Sequence, residues 1–265
     1  MLKVAQSAAV SSGKILLENY GKITSTEIRE KRDNDFLTFV DELSEKNIIE
    51  TIHRGYPGHA ILAEESGTQE QTSSYRWIID PLDGTKNFIS GIPVFAISIG
   101  LQHEKDIILG VVYDPVRNEM FHAESGKGAF LNGKIIHVNE QTELARALLA
   151  TGFPFRFKTF LSQYMNCFKD IFQHTSGARR LGSASIDLVY TAAGKFEGFW
   201  ELGLNSWDMA AGSVILKEAG GQISDFWGSP LFLDRGYVVA TNGKIHNQLL
   251  DIIQKYFPDY VPIEN

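Results

Sequence analysis

The spacing of apolar residues changes character along the chain. Val4, Ala8, Ile15 and Leu16 fall among small and polar residues over 4–19, and Phe36, Phe39, Val40, Leu43, Ile48 and Ile52 recur at near-helical intervals over 36–52. Both stretches are predicted to be amphipathic helices, the second with Asp41 and Glu45 on its solvent face. After Gly55-Tyr56-Pro57-Gly58, the apolar run 60–63 predicts a strand ending at Glu64-Glu65-Ser66-Gly67. Extended segments follow at 77–80, 94–101, 107–113, 120–123 and 128–131. Phe121 and Ala123 against Ala129 and Leu131 bracket Glu124-Ser125-Gly126-Lys127, a hairpin signal, and Leu131-Asn132-Gly133-Lys134 marks another turn. This region reads as an antiparallel or mixed sheet.

Beyond it, 148–150 is predicted as a strand leading into the aromatic loop Gly152-Phe153-Pro154-Phe155, with a helix over 160–171. Helices over 183–193, 207–218 and 245–256 then alternate with strands at 196–201 and 237–240. Such alternation implies a layered α/β architecture, with an α+β half over 1–150 and an α/β half over 151–265. No Ser/Pro-rich linker separates them, so an active cleft between the halves is expected.

Composition narrows the function. With 25 basic against 32 acidic residues, net charge -7, and no long Lys/Arg block, nucleic-acid binding is disfavoured as the main activity. The single cysteine, Cys167, excludes an internal disulfide and cysteine-rich metal sites, fits a cytoplasmic setting and reads as a buried structural thiol. No run reaches the ~18 apolar residues of a membrane span, and no leader pattern opens the chain. The histidines form no zinc-ligand spacing, and dinucleotide, Walker and serine-hydrolase motifs are missing.

The candidate chemistry centres on Trp77-Ile78-Ile79-Asp80-Pro81-Leu82-Asp83-Gly84-Thr85, an apolar strand running into carboxylates and a hydroxyl at an expected tight turn. Two carboxylates with the Leu82 carbonyl between them suit a hard divalent cation. Thr85 either caps the short helix that follows, whose free amides suit an anion, or orients a water together with Glu64. Lys86 reads as a solvated surface residue. Asp208, in Ser206-Trp207-Asp208-Met209-Ala210-Ala211-Gly212, either serves the helix dipole alone or joins Asp83 in a two-metal centre. Glu201 at a strand end is placed to accept hydrogen bonds from substrate hydroxyls or is a plain exposed glutamate, and Gly182-Ser183-Ala184 either caps a helix or meets a polyol.

Together these residues resemble the inositol monophosphatase family. One signature matches Trp77 to Phe88, a second matches Trp207 to Gly212, and Glu64-Glu65 stands in the expected place between chain start and first signature. Asn34-Asp35-Phe36-Leu37-Thr38, Tyr56-Pro57-Gly58-His59, Val112-Tyr113-Asp114-Pro115, and the segments 150–155 and 179–184 resemble its bacterial SuhB-type branch. The resemblance implies an αβαβα sandwich of the inositol monophosphatase and fructose-1,6-bisphosphatase type. It implies that Glu64, Asp80 and the Leu82 carbonyl hold one Mg2+ and that Asp80, Asp83 and Asp208 hold a second, with Asp41 near a weaker third. Ca2+ or Mn2+ would substitute, and Li+ would inhibit. Glu64 and Thr85 would activate water, Asp41 would assist, and the amides of Gly84 and Thr85 would stabilise phosphoryl oxygens. Gly182, Ser183, Ala184, Glu201 and Asp208 would contact substrate, and Lys31 looks like the family's basic residue before the Asp41 motif. The implied activity is Mg2+-dependent hydrolysis of myo-inositol 1-phosphate or a similar small phosphorylated polyol or sugar. Fructose bisphosphate and adenosine bisphosphate nucleotides remain alternatives. A homodimer and association with transcription antitermination machinery are also implied.

Overall fold

Helix α1 (Leu2–Asn19) forms where the apolar spacing predicts it. The second helical stretch divides: residues 35–38 form β2 (Asp35–Thr38), antiparallel to β1 (Ile28–Arg32), and α2 (Phe39–Gly55) starts only after them. The cap sets this boundary. Val40 N donates to Thr38 Oγ1 at 3.2 Å, and Thr38 N donates back to Asp41 Oδ2 at 2.9 Å, a reciprocal box that satisfies first-turn amides. Asp41 and Glu45, expected to face solvent, are only 1% and 4% exposed. Glu45 accepts from the backbone N–H groups of Glu65 and Ser66 at 2.8 and 2.9 Å, which offsets its burial and ties the segment carrying Glu64 to α2. The computed structural model describes residues 1–32, 35–155 and 157–263. Asn34 and the Lys31 side chain, both named above, lie outside the described residues.

Among the described residues, β3 (Ala60–Ala63), β4 (Gly67–Gln69), β5 (Tyr75–Asp83), β6 (Ala96–His103), β7 (Asp106–Asp114), β8 (Glu119–Glu124), β9 (Ala129–Leu131) and β10 (Lys134–Ile136) build an eight-stranded sheet. Its order is β10-β9-β8-β7-β6-β5-β3-β4, with β3 parallel to β5 and the other pairs antiparallel. The expected hairpin closes with Phe121 opposite Leu131 and Ala123 opposite Ala129. Helix α3 (Thr85–Ile89) follows β5 directly. A five-stranded sheet orders β12 (Gly177–Arg179), β11 (Leu148–Thr151), β13 (Gly198–Leu202), β15 (Tyr237–Thr241) and β14 (Gln222–Ser224). The remaining helices are α4 (Leu161–Gln173), α5 (Ala184–Ala192), α6 (Ser206–Glu218), α7 (Phe232–Arg235) and α8 (His246–Tyr256).

Strand alternation sorts side chains into layers. Trp77, Ile79, Ile97, Ile99 and Val111 pack with α1 and α2. Val112, Phe199, Val238 and Ala240 pack with Leu188, Val189, Ala211 and Ile215 of α5 and α6. Leu149, Trp200, Leu202 and Val239 turn the other way, toward Tyr164, Cys167, Leu249 and Ile253 of α4 and α8. The stack of helices, large sheet, helices, small sheet and helices is the expected αβαβα sandwich. Cys167 is buried, and burial pushes its thiol up to about 12, as a structural cysteine requires. Among the described residues no helix is long and apolar enough to cross a membrane.

The seat of α6 matters for the site. A Cβ on Gly100 would lie 3.0 Å from Ala210 Cβ, and one on Gly110 would overlap the Ala211 carbonyl. Small residues on both partners therefore let α6 press its first turns onto β6 and β7. That contact aims Asp208 at the end of β5.

Candidate active site

The expected tight turn at Asp80 is instead a bulged strand end. Strand β5 continues to Asp83, and its pairing with β6 slips between Asp80 opposite Ser98 and Asp83 opposite Ala96. Pro81 has no N–H to give the ladder, so the strand bulges there and keeps both carboxylates at one edge. Asp80 Oδ1 accepts from Leu82 N at 2.9 Å, and Ser44 of α2 donates to the Pro81 carbonyl at 2.8 Å. Gly84 then takes φ 98°, with an ideal Cβ only 3.0 Å from the Val94 carbonyl and 3.3 Å from that of Gly182. Glycine alone fits this backbone without strain.

Six elements converge on one cavity. The end of β3 contributes Glu64, whose N–H donates to the Ile79 carbonyl of β5 at 3.1 Å. The end of β5 and start of α3 contribute Asp80, Leu82, Asp83, Gly84 and Thr85. The start of α5 brings Gly182, Ser183 and Ala184, while β13 brings Glu201 and α6 brings Asp208. Asp80, Asp83 and Asp208 each carry a ligand oxygen within 4.8 Å of the others. Asp208 also accepts from Asn205 N at 2.6 Å, so its capping and cavity positions are compatible. Glu201 is buried, and a Cβ on Gly152 would overlap its carboxylate, so glycine makes room for the acid. Asp41 does not line the cavity. It lies buried behind Thr85, whose hydroxyl stands 3.1 Å from Asp41 Oδ1 and 3.0 Å from the Leu82 carbonyl.

Electrostatics follow from this crowding. Burial first, then the charges of Glu64, Asp83 and Asp208, push the Asp80 carboxyl well above the usual carboxylate range, against the opposing donor from Leu82. Asp83 is also raised by burial, but donors from Ser183 and Ser185 pull it back. An oxygen-only set of buried, mutually repelling carboxylates suits a hard divalent cation, whose charge would relieve the repulsion. The residues present fit Mg2+.

Some functional neighbours were not legible. Ser185 donates both its hydroxyl, at 2.5 Å, and its N–H, at 2.7 Å, to Asp83 Oδ2, yet in sequence it is one more small residue at a helix start. Asp187, one turn into α5, is raised well above the carboxylate range by burial and then by Glu201 and Asp83, and its Oδ1 has no hydrogen-bond partner. Lys86 is not a solvated surface residue. It lines the cavity with its ammonium 4.4 Å from the Phe155 ring centroid and 5.3 Å from that of Phe36.

Comparison with known proteins agrees with this geometry. A sequence model described as "Inositol monophosphatase family" matches residues 1–257. "Nus factor SuhB" of Pseudomonas aeruginosa is 44% identical, over 97% of each chain. "Fructose-1,6-bisphosphatase/inositol-1-monophosphatase" of Aquifex aeolicus is 42% identical, over 96% of each. The crystal structure of the extragenic suppressor protein suhB from Bartonella henselae superposes with a TM-score of 0.92 at 36% identity, covering 96% of this chain and 98% of that one.

Proposed function

This chain belongs to the inositol monophosphatase family, and we propose that it is a Mg2+-dependent phosphomonoesterase acting on myo-inositol 1-phosphate or a similar small polyol phosphate. The observation that carries this reading is the trio Asp80, Asp83 and Asp208 gathered in one cavity with Glu64 and Thr85. Divalent cations held by Glu64, Asp80, the Leu82 carbonyl, Asp83 and Asp208 would supply Lewis acidity toward phosphoryl oxygens and lower the pKa of water.

The chain's own groups do the rest. Asp41, neighbouring the Thr85 hydroxyl, accepts its proton and so turns a Thr85 lone pair toward the attacking water, which Glu64 orients from the other side. Backbone N–H groups of Gly84 and Thr85 stabilise charge on the phosphoryl oxygens during in-line attack. Glu201, backed by Gly152, accepts hydrogen bonds from substrate hydroxyls, with Ser183 and Ala184 on the adjacent wall. The Aquifex relative's name keeps fructose 1,6-bisphosphate in the substrate panel, and an adenosine bisphosphate belongs there too. Lithium inhibition, a cytoplasmic homodimer and a cleft between halves 1–150 and 151–265 belong to the same proposal.

The test is phosphate release from that panel with and without Mg2+. Turnover of at least one phosphomonoester that stops on chelation is expected, and folded protein that releases no phosphate from any of them would sink the reading. A second reading, association with transcription antitermination machinery, is favoured by the several relatives named "Nus factor SuhB". Copurification with transcription factors that survives Asp83→Asn would support it as a separate role, and no copurification with wild type would remove it.

A further inference from the structure

Each carboxylate of the trio spends an oxygen on the protein itself. Asp80 Oδ1 accepts from Leu82 N at 2.9 Å, and Asp208 Oδ2 accepts from Asn205 N at 2.6 Å. Asp83 is the extreme case. Its Oδ2 accepts from Ser183 Oγ at 2.6 Å, Ser185 Oγ at 2.5 Å and Ser185 N at 2.7 Å. A carboxylate has about four lone-pair sites across its two oxygens, so three donors fill the capacity of one. Oδ1 is then the oxygen that remains for a cation.

Rotating Asp83 to present both oxygens would break charge-assisted bonds and strand two serine hydroxyls whose residues are 1% and 0% exposed. The two divalent ions differ in what they ask of such a ligand. Mg2+ takes single carboxylate oxygens in a tight octahedron at about 2.0–2.1 Å, whereas Ca2+ sits at about 2.3–2.6 Å and readily takes both oxygens of one carboxylate. We infer that Ser183 and Ser185 form a donor cradle that holds Asp83 to one-oxygen coordination and thereby selects Mg2+ over Ca2+ at this centre. The inference rests on reading the trio as a metal centre and adds the residues that set its ion preference. Both serines are positioning residues, acting on the cation through Asp83.

The full-length protein is titrated calorimetrically with MgCl2 alone and with CaCl2 alone, as wild type, Ser185→Ala and Ser183→Ala/Ser185→Ala. The ratio of Ca2+ to Mg2+ dissociation constants should fall about tenfold in the double variant, and by less in Ser185→Ala, chiefly through tighter Ca2+ binding. A crystal structure of the double variant with Ca2+ should show Asp83 chelating through both oxygens. Ser185→Ala keeps the Ser183 hydroxyl and the Ser185 N–H, so it carries the test if the double variant fails to fold. An unchanged ratio in folded variants overturns this inference alone. Failure of wild type to bind either ion overturns the metal centre and the inference together.

Discussion

Thr85 has one hydroxyl proton and two acceptors, Asp41 Oδ1 at 3.1 Å and the Leu82 carbonyl at 3.0 Å. Full donation to one weakens the bond to the other, so Asp41 sets how firmly Thr85 engages the Leu82 carbonyl. Thr85→Ala and Asp41→Asn should each lower kcat about 10²-fold with little change in KM, as loss of a proton-handling group does, while Thr85→Ser retains most activity. Steady-state kinetics check this, and Thr85→Ala within threefold of wild type would count against the assignment. Asp83→Asn or Asp208→Asn should cost about 10²-fold or more in kcat while the far-ultraviolet circular dichroism stays unchanged, since each removes a charge the cation needs. Equal turnover by either variant would remove that residue from the metal set. The acids themselves were legible because Asp80-Pro81-Leu82-Asp83, which alone would read as a turn, stands in order with Glu64 upstream and Asp208 downstream as in the family's signatures. Ser185 was not, because its value lies in a bond to a residue about a hundred positions earlier.

Helix α8 is pinned to the small sheet by one imidazole. His246 Nε2 lies 2.9 Å from Ser224 Oγ of β14 and Nδ1 lies 3.0 Å from Thr241 Oγ1 of β15, and burial lowers its pKa to about 4. The folded protein thus holds His246 neutral where the unfolded chain, titrating near 6.5, already binds a proton. Its contribution is complete above pH 6.5, declines as pH falls from there, and is fully lost below about 4. The whole swing is of order 3 kcal/mol. Denaturant midpoints for His246→Gln should be lower than wild type at pH 7.5 and flatter between pH 7 and 4; parallel slopes would show that another group governs acid sensitivity. The long elements around this joint were legible from their period, as with the helix over 245–256. Most short ones were not: β4, β10, β12 and β14 have three residues each, too few to display alternation, whereas the equally short β9 showed only because the hairpin turn Glu124-Ser125-Gly126-Lys127 and its partner strand marked it. Strand β1, Ile-Arg-Glu-Lys-Arg, offers one apolar residue, so its pairing with β2 hid Phe36 to Thr38 inside an apparent helix.

For the molecule as a whole, the buried carboxylates oppose His246. Asp80, whose pKa is raised first by burial and then by Glu64, Asp83 and Asp208, favours folding while protonated, and that contribution is lost as pH rises through its folded pKa. Above the usual carboxylate range, gathering these acids at the meeting point of β3, β5 and α6 therefore costs the metal-free protein stability, and ions that bind only the folded state would offset that cost. At a free Mg2+ concentration a hundred times the dissociation constant the gain is about 2.7 kcal/mol, which for a chain of this size raises the melting temperature by roughly 5–10 °C. Asp80→Asn separates the two effects. It should raise the melting temperature of metal-free protein at pH 7.5, because the cost of burying an acid among other carboxylates is gone, and, if Asp80 is the ligand proposed above, should abolish both the Mg2+-dependent rise and turnover. His246→Gln should leave the Mg2+-dependent rise intact, so thermal scans of the two variants with chelator and with Mg2+ assign each slope to its group. A metal-free Asp80→Asn protein that melts below wild type would mean that the Asp80 carboxyl group, which accepts from Leu82 N, stabilises the fold more than its neighbours' charges destabilise it, since asparagine keeps an acceptor oxygen but not the carboxyl. The carboxylate cluster would then be a structural knot first, with its capacity for cations secondary.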